Sequence, residues 1–235
     1  MARIVVCYGD SITRGLISAS YVAVLKRRMG QANLRFLNSG VNNDVTFNLL
    51  RRIHPLIEVQ PDFITVLVGT NDVIASLSPY GALFYYALKR LPRWPTLEWS
   101  LASLRRVIAH LRRETRAVIG LCSIPPLGEN LNTLPNQRVR AYNSALQEIA
   151  NTNGLAYVPV FEHLVAHLPH SDGREFTASV NLLGELMLRR YVFKEPFERF
   201  SRSKGFSLLT DGVHLNESAA GLVAEEIEGF LRGRM

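Results

Sequence analysis

Two cysteines in 235 residues, Cys7 and Cys122, are few enough to exclude several readings at once. Neither has a cysteine or histidine neighbour at metal-ligand spacing, so no bound metal is expected. If Cys7 ends one strand of a parallel sheet and Cys122 another two places away, ~10 Å separates them, too far for a disulfide. Both read as small buried hydrophobes. No apolar run approaches the length of a membrane span. Arg3 interrupts the N-terminal apolar segment, and Ala2 to Tyr8 is needed as a strand, so no signal peptide and a cytoplasmic location are expected. Internal repeats, low-complexity stretches and domain boundaries are also missing. The chain therefore reads as a single domain over 1–235.

Acidic residues are in short supply, 20 against 27 Lys and Arg, for a formal charge of +7. That imbalance raises the question of nucleic acid. The basic runs Lys26-Arg27-Arg28, Arg51-Arg52, Arg105-Arg106, Arg112-Arg113 and Arg189-Arg190 lie beside apolar residues at helical spacing, as on a solvated helix face. No nucleic-acid motif accompanies them, so no nucleic-acid partner is expected. Attraction for anionic ligands or membrane surfaces stays open.

What is present is an alternation of apolar strands and amphipathic helices. Ala2 to Tyr8, Leu34 to Asn38, Asp62 to Val68, Ala117 to Ile124 and Leu155 to Val160 read as strands. The helical patterns are Ser18 to Met29, Val45 to Ile57, Leu97 to Arg116, Pro135 to about Asn151 and Glu217 to Leu231, the last capped by Asn216. Such alternation predicts an α/β fold, a flavodoxin-like three-layer sandwich on a five-stranded parallel sheet of order 2-1-3-4-5. Two irregular tracts, about 73–100 and 163–210, interrupt the rhythm.

Three successive strands end in polar turns holding Ser11, Asn43 and Asn71. In the predicted order those strands are neighbours, so the three residues would fall within ~10 Å of one another at the carboxyl edge. A serine hydroxyl there needs a base. Asp211-Gly212-Val213-His214 supplies one, with a carboxylate close enough in sequence to be held by a single turn and to orient the imidazole. Gly9-Asp10-Ser11-Ile12-Thr13 is not a Gly-x-Ser-x-Gly elbow, which excludes the α/β-hydrolase fold. The remaining histidines, His54, His110, His163, His167 and His170, have no acid in a comparable turn and read as surface or structural. Asp10 reads as a structural residue of its turn, and Asp72 as one that shapes its loop.

Gly9-Asp10-Ser11, Gly69-Thr70-Asn71-Asp72 and Asp211-Gly212-Val213-His214 resemble, in order, the first, third and last blocks of the SGNH hydrolases, also called GDSL esterases and lipases. The resemblance implies a serine esterase or acyl hydrolase working through an acyl-enzyme, without cofactor. Ser11 would be the nucleophile, His214 the base and then the acid, and Asp211 its orienter. The oxyanion hole would comprise the backbone N–H of Ser11, a backbone N–H at Asn43 and the side-chain amide of Asn71. The second block departs from the pattern, because Asn43 stands where the family has glycine. A backbone N–H does not depend on the side chain, and asparagine tolerates left-handed dihedrals. Leu215 stands where proline is common after the histidine.

The aromatic and aliphatic content of the two irregular tracts fits a wall for an acyl chain, hence a small-molecule or lipid-like ester as substrate. Extra packing over the helices fits that content equally well. A carbohydrate O-acetylesterase is the rival inside this class. A non-catalytic binding protein on the same fold is the rival outside it, and the complete Ser11, Asp211 and His214 set argues against that.

Overall fold

Residues along β1 (Arg3–Gly9) alternate between two cores. In this computed structural model, which describes residues 2–169 and 171–235, Val5 and Cys7 join one buried cluster and Val6 and Tyr8 another. A strand covered on both faces gives that pattern, because successive side chains point to opposite sides. Five parallel strands form the sheet: β1, β2 (Leu34–Gly40), β3 (Phe63–Leu67), β4 (Val118–Cys122) and a fifth, Ala156–Val158. A short strand β5 (Gly128–Asn130) precedes that fifth member, which is therefore β6, and pairs instead with β7 (Asp172–Glu175) in a two-stranded antiparallel sheet. The order β2-β1-β3-β4-β6 is the predicted order with β5 set aside.

The helices follow in chain order: α1 (Ser11–Arg14), α2 (Tyr21–Arg28), α3 (Thr46–Arg51), α4 (His54–Glu58), α5 (Thr70–Leu77), α6 (Pro79–Leu88) and α7 (Leu97–Glu114). They continue as α8 (Leu134–Thr152), α9 (Val160–Ala166), α10 (Val180–Tyr191), α11 (Phe197–Ser203) and α12 (Glu217–Arg232). Tyr21 and Leu25 of α2 and Val223 and Ile227 of α12 pack on the Val5 face. Leu49 of α3, Leu104 of α7 and Leu146 of α8 pack on the Val6 face.

Two of the differences from the sequence reading come from a proline. The expected single helix Val45 to Ile57 is split into α3 and α4. Pro55 has no N–H for the carbonyl of Arg51, and its ring would crowd that carbonyl. The fifth sheet strand stops at Val158 because Pro159 cannot donate to the ladder. The two cysteines are buried and free, as expected. Among the described residues, no helix is long and apolar enough to cross a membrane.

What positions the site is the flush end of three strands. Gly9 of β1 is in register with Gly40 of β2 and Leu67 of β3. The backbones close tightly there. A Cβ on Gly9 would lie 2.2 Å from the Leu67 carbonyl oxygen, and one on Gly40 2.2 Å from the Arg14 nitrogen. Side chains are excluded at both positions, and α1 sits directly against the strand ends.

Candidate active site

Asp10 caps α1, its Oδ1 accepting the Ile12 N–H at 3.0 Å, and Gly15 closes the turn with a left-handed φ of 71°. This one-turn helix holds Ser11 at its first position. Across from it, Asp211 builds its own turn: Oδ1 accepts the backbone N–H groups of Val213 at 3.0 Å and His214 at 2.9 Å. Gly212 takes φ 88° between them, a conformation that suits a residue without Cβ. The flanks close as a small antiparallel loop, Thr210 N–H donating to the His214 carbonyl at 2.7 Å. His214 Nδ1 then lies 2.8 Å from Asp211 Oδ2, and His214 Nε2 lies 3.1 Å from Ser11 Oγ. The three residues that sequence reasoning paired thus form one continuous hydrogen-bonded line, and all three are buried.

Burial alone would lower the His214 pKa, but the charge and hydrogen bond of Asp211 outweigh it and hold the imidazole above its ordinary value. Burial likewise works against the Asp211 carboxylate, and is outweighed by His214 and the two backbone donors, so its pKa is lowered. The imidazolium formed by taking a proton from Ser11 would therefore meet a fixed negative charge. Two further carboxylates lie below the site. Burial raises Asp10 to about 7 and Asp72 to about 6. Asp72 does not line the cavity over Ser11 and His214. Its Oδ2 accepts Thr46 N–H at 2.9 Å and Thr46 Oγ1–H at 3.0 Å, tying the segment after β2 to α5.

Asn43 has φ 61°, the left-handed backbone that asparagine adopts more readily than most residues. Asn71 lies in the first turn of α5 rather than in the expected loop. Its Nδ2 donates to the Asp44 carbonyl at 2.8 Å, leaving the second amide hydrogen for the cavity, and its Oδ1 accepts from Tyr85 at 2.7 Å. Among the described residues, neither the Ser11 nor the Asn43 backbone N–H is engaged in a turn, loop or side-chain hydrogen bond. Ser11, Asn43, Asn71 and His214 all line one cavity of about 300 Å³.

A family model described as the GDSL-like Lipase/Acylhydrolase family matches residues 7–178, the greater part of the chain. The chain belongs to that family of ester-bond hydrolases. The matched region holds Ser11, Asn43 and Asn71, while the Asp211 turn lies beyond it. No curated protein sequence matches. Similar folds occur among solved structures. The acetyl xylan esterase AlAXEase is 15% identical, with 97% of this chain and 99% of that one covered at a TM-score of 0.64. Axe2, an acetylxylan esterase from Geobacillus stearothermophilus, is 17% identical, with 98% and 93% covered at a TM-score of 0.67. At such identity the likeness establishes the three-layer fold.

The roles of three residues of this GDSL-like acylhydrolase escaped sequence reasoning because their partners are distant in the chain, among them Arg52, expected on a solvated helix face but turned inward. Glu129, on β5 and 2% exposed, has no ion pair among the described residues. Its Oε1 accepts the backbone N–H groups of Leu208 at 2.7 Å and Leu209 at 2.9 Å, and the Ser207 N–H is shared between Oε2 at 2.8 Å and Oε1 at 3.0 Å. Its neighbour Gly128 donates to the Gly212 carbonyl at 2.7 Å, so β5 grips both the incoming arm and the tip of the Asp211 turn. Tyr85 orients Asn71 from α6. Arg52 draws the strand ends together, donating to the Gly9 carbonyl at 2.8 Å, to the Ser39 carbonyl at 3.0 Å and to Asp44 at 2.7 Å. No periodicity announces such contacts. Of the histidines read as surface or structural, His163 meets an acid of another helix, Glu226 of α12, at 3.0 Å. His170 lies outside the described residues.

The family's chemistry would face a mostly apolar chamber. Ile74 and Phe84 on one side and Phe176, Val180, Leu183 and Val213 on the other wall the cavity, drawn from both irregular tracts and the final turn. The first tract is mostly helical, α6 with the ends of α5 and α7. The second carries β7, α10 and α11.

Proposed function

We propose that this hydrolase cleaves carboxylic esters of apolar acyl groups with Ser11 as nucleophile, His214 as base and Asp211 as orienter. The observation that carries the reading is the unbroken line from Ser11 Oγ through His214 to Asp211 Oδ2, opening on an apolar chamber. His214 Nε2 takes the hydroxyl proton as Ser11 attacks the carbonyl carbon. The tetrahedral oxyanion is met by the N–H groups of Ser11 and Asn43 and by the second amide hydrogen of Asn71. His214 then protonates the departing alcohol, leaving an acyl-Ser11 ester. A water deprotonated by His214 hydrolyses that ester and restores Ser11. Support comes also from Axe2, whose solved catalytic mutants replace a serine, an aspartate and a histidine three residues after the aspartate, the residue types and spacing found here.

The name of that neighbour also raises the deacetylase reading, since Axe2 is an acetylxylan esterase. The chamber wall favours a longer acyl group, because its exposed lining is mostly apolar and, beyond the residues assigned to the chemistry, only Tyr85, Thr177 and Ser179 offer polar side chains to sugar hydroxyls. Hydrolysis of p-nitrophenyl esters of graded chain length separates the two. Medium-chain esters should be preferred, and Ser11→Ala should be inactive. Wild-type rates from Ser11→Ala would end the catalytic reading, and a preference for acetate would replace the acyl chamber with deacetylation.

A further inference from the structure

Helix α6, Pro-Tyr-Gly-Ala-Leu-Phe-Tyr-Tyr-Ala-Leu, contains no charged residue. A helix apolar all round belongs in a core or in lipid, yet only Ala82 and Tyr85 of α6 are buried. Tyr80, Leu83, Phe84 and Leu88 are 85%, 52%, 54% and 50% exposed. Their spacing of three and four residues puts them on one face, pointing away from the core. Contiguous exposed apolar surface of this kind marks an interaction site.

The face is continuous with the mouth of the catalytic cavity. Phe84 belongs both to the exposed stripe and to the cavity wall. Across the mouth stands Val180, the first residue of α10, 84% exposed and also part of the wall. Each helix ends in cations mixed with large apolar side chains. After α6 come Arg90, Arg93 and Trp94, and after α10 come Val192, Phe193 and Lys194. Arg90, Arg93 and Lys194 are exposed, and none forms an ion pair among the described residues. Lys89 and Arg189 are different, being held by Asp44 and Glu195.

We propose that α6 and the ends of α6 and α10 form a docking face for an anionic lipid surface. Apolar and aromatic side chains would enter the interface while the unpaired cations meet the headgroups. Arg90, Arg93 and Lys194 are unpaired cations in a chain of net charge +7, which is complementary to an acidic membrane leaflet. A second copy fits less well, since a two-fold contact would set Arg90, Arg93 and Lys194 near their own equivalents. A protein cover would also close the mouth beside Phe84, whereas lipid seated there carries esters to it. The docking claim does not depend on the catalytic assignment, because binding is measured without turnover.

The test is sedimentation of the Ser11→Ala protein with vesicles of phosphatidylcholine alone or mixed with phosphatidylserine, in about 0.1 M salt. Binding should require phosphatidylserine and weaken as salt rises. Leu83→Glu should weaken it roughly tenfold or more, and Arg90→Glu with Arg93→Glu by about fivefold per cation. In the otherwise wild-type chain, Leu83→Glu should leave hydrolysis of a water-soluble short-chain ester unchanged, which confirms that it folds. Arg112→Glu, in the last turn of α7 at the edge of the sheet opposite the cavity, should bind like the parent. Failure of the parent to bind anionic vesicles would overturn the proposal. So would equal binding by Leu83→Glu, or an equal loss in Arg112→Glu. A concentration-dependent dimer abolished by Leu83→Glu would assign the face to a second copy instead.

Discussion

The Tyr85 hydroxyl donates to Asn71 Oδ1 at 2.7 Å, while the Asn71 amide donates to the Asp44 carbonyl at 2.8 Å. An amide held at both ends cannot flip, so the remaining Nδ2 hydrogen keeps its direction. Burial raises the Tyr85 phenol above its ordinary value, which keeps it a donor throughout the working range.

Tyr85→Phe should therefore act on the transition state. It leaves a buried amide oxygen unpaired and frees the amide to rotate, a loss on the order of 1 kcal/mol, or about fivefold in kcat. KM for a small ester should hardly change, since no substrate contact is removed. Asn71→Ala, which removes the donor itself, should cost roughly 10²–10³ in kcat. Steady-state kinetics of both variants check this. A Tyr85→Phe effect confined to KM would make the ring a wall residue only.

Glu129 should matter to both stability and rate, because its carboxylate holds the segment that enters the Asp211 turn. In Glu129→Gln the charge is lost, and an NH2 group replaces the Oε2 that accepts the Ser207 N–H at 2.8 Å. Charge-assisted hydrogen bonds contribute about 1.5–3 kcal/mol each, so a loss of about 2 kcal/mol in unfolding free energy is expected. Well below the unfolding midpoint, kcat should still fall, because the Asp211 and His214 pair is less firmly placed. Denaturant titration alongside kinetics separates the two effects. Full kcat in a destabilised variant would confine Glu129 to structure.

These two residues also mark where sequence reading stops. Ser11, Asp211 and His214 were legible because each sits in a local turn of recognisable chemistry, and the parallel sheet was legible from five apolar runs. Asn43 could be anticipated as well, since few other residues accept its φ of 61°. Pro55 and Pro159 were in plain view, yet apolar periodicity ran through the first and an apolar run through the second. By contrast, β5 and β7 are polar segments without alternation, paired at Gly128 with Glu175 and at Asn130 with Asp172. Glu129 meets Ser207 across 78 residues. Only the folded chain brings such partners together.

The pH profile should report His214. As a base it must be neutral, and Asp211 holds its pKa above the ordinary 6.5. For a soluble ester, kcat/KM should thus rise with pH and reach half its plateau above 6.5. In Asp211→Asn the opposing carboxylate is gone and burial dominates, so the limb should move to lower pH while the plateau falls by up to ~10⁴. An unmoved limb in that variant would mean another group sets the profile.

Asp10 should leave the opposite signature, in stability. Burial raises its pKa to about 7 from 3.8, only partly offset by the Ile12 N–H and by His214. The folded state therefore binds this proton more tightly than the unfolded chain. The corresponding stabilisation is full below pH ~4 and is lost as pH rises through about 7. Asp10→Asn keeps the Oδ1 acceptor for Ile12 and removes the charge. It also places an amide hydrogen donor where Oδ2 now has no partner, a cost that does not vary with pH. The melting temperature of the variant minus that of the wild type should consequently increase as pH is raised from about 4 to above 7. Thermal unfolding at a series of pH values measures the slope. A difference independent of pH would mean that Asp10 titrates alike in the folded and unfolded chain, and that its burial beneath Ser11 costs the protein nothing.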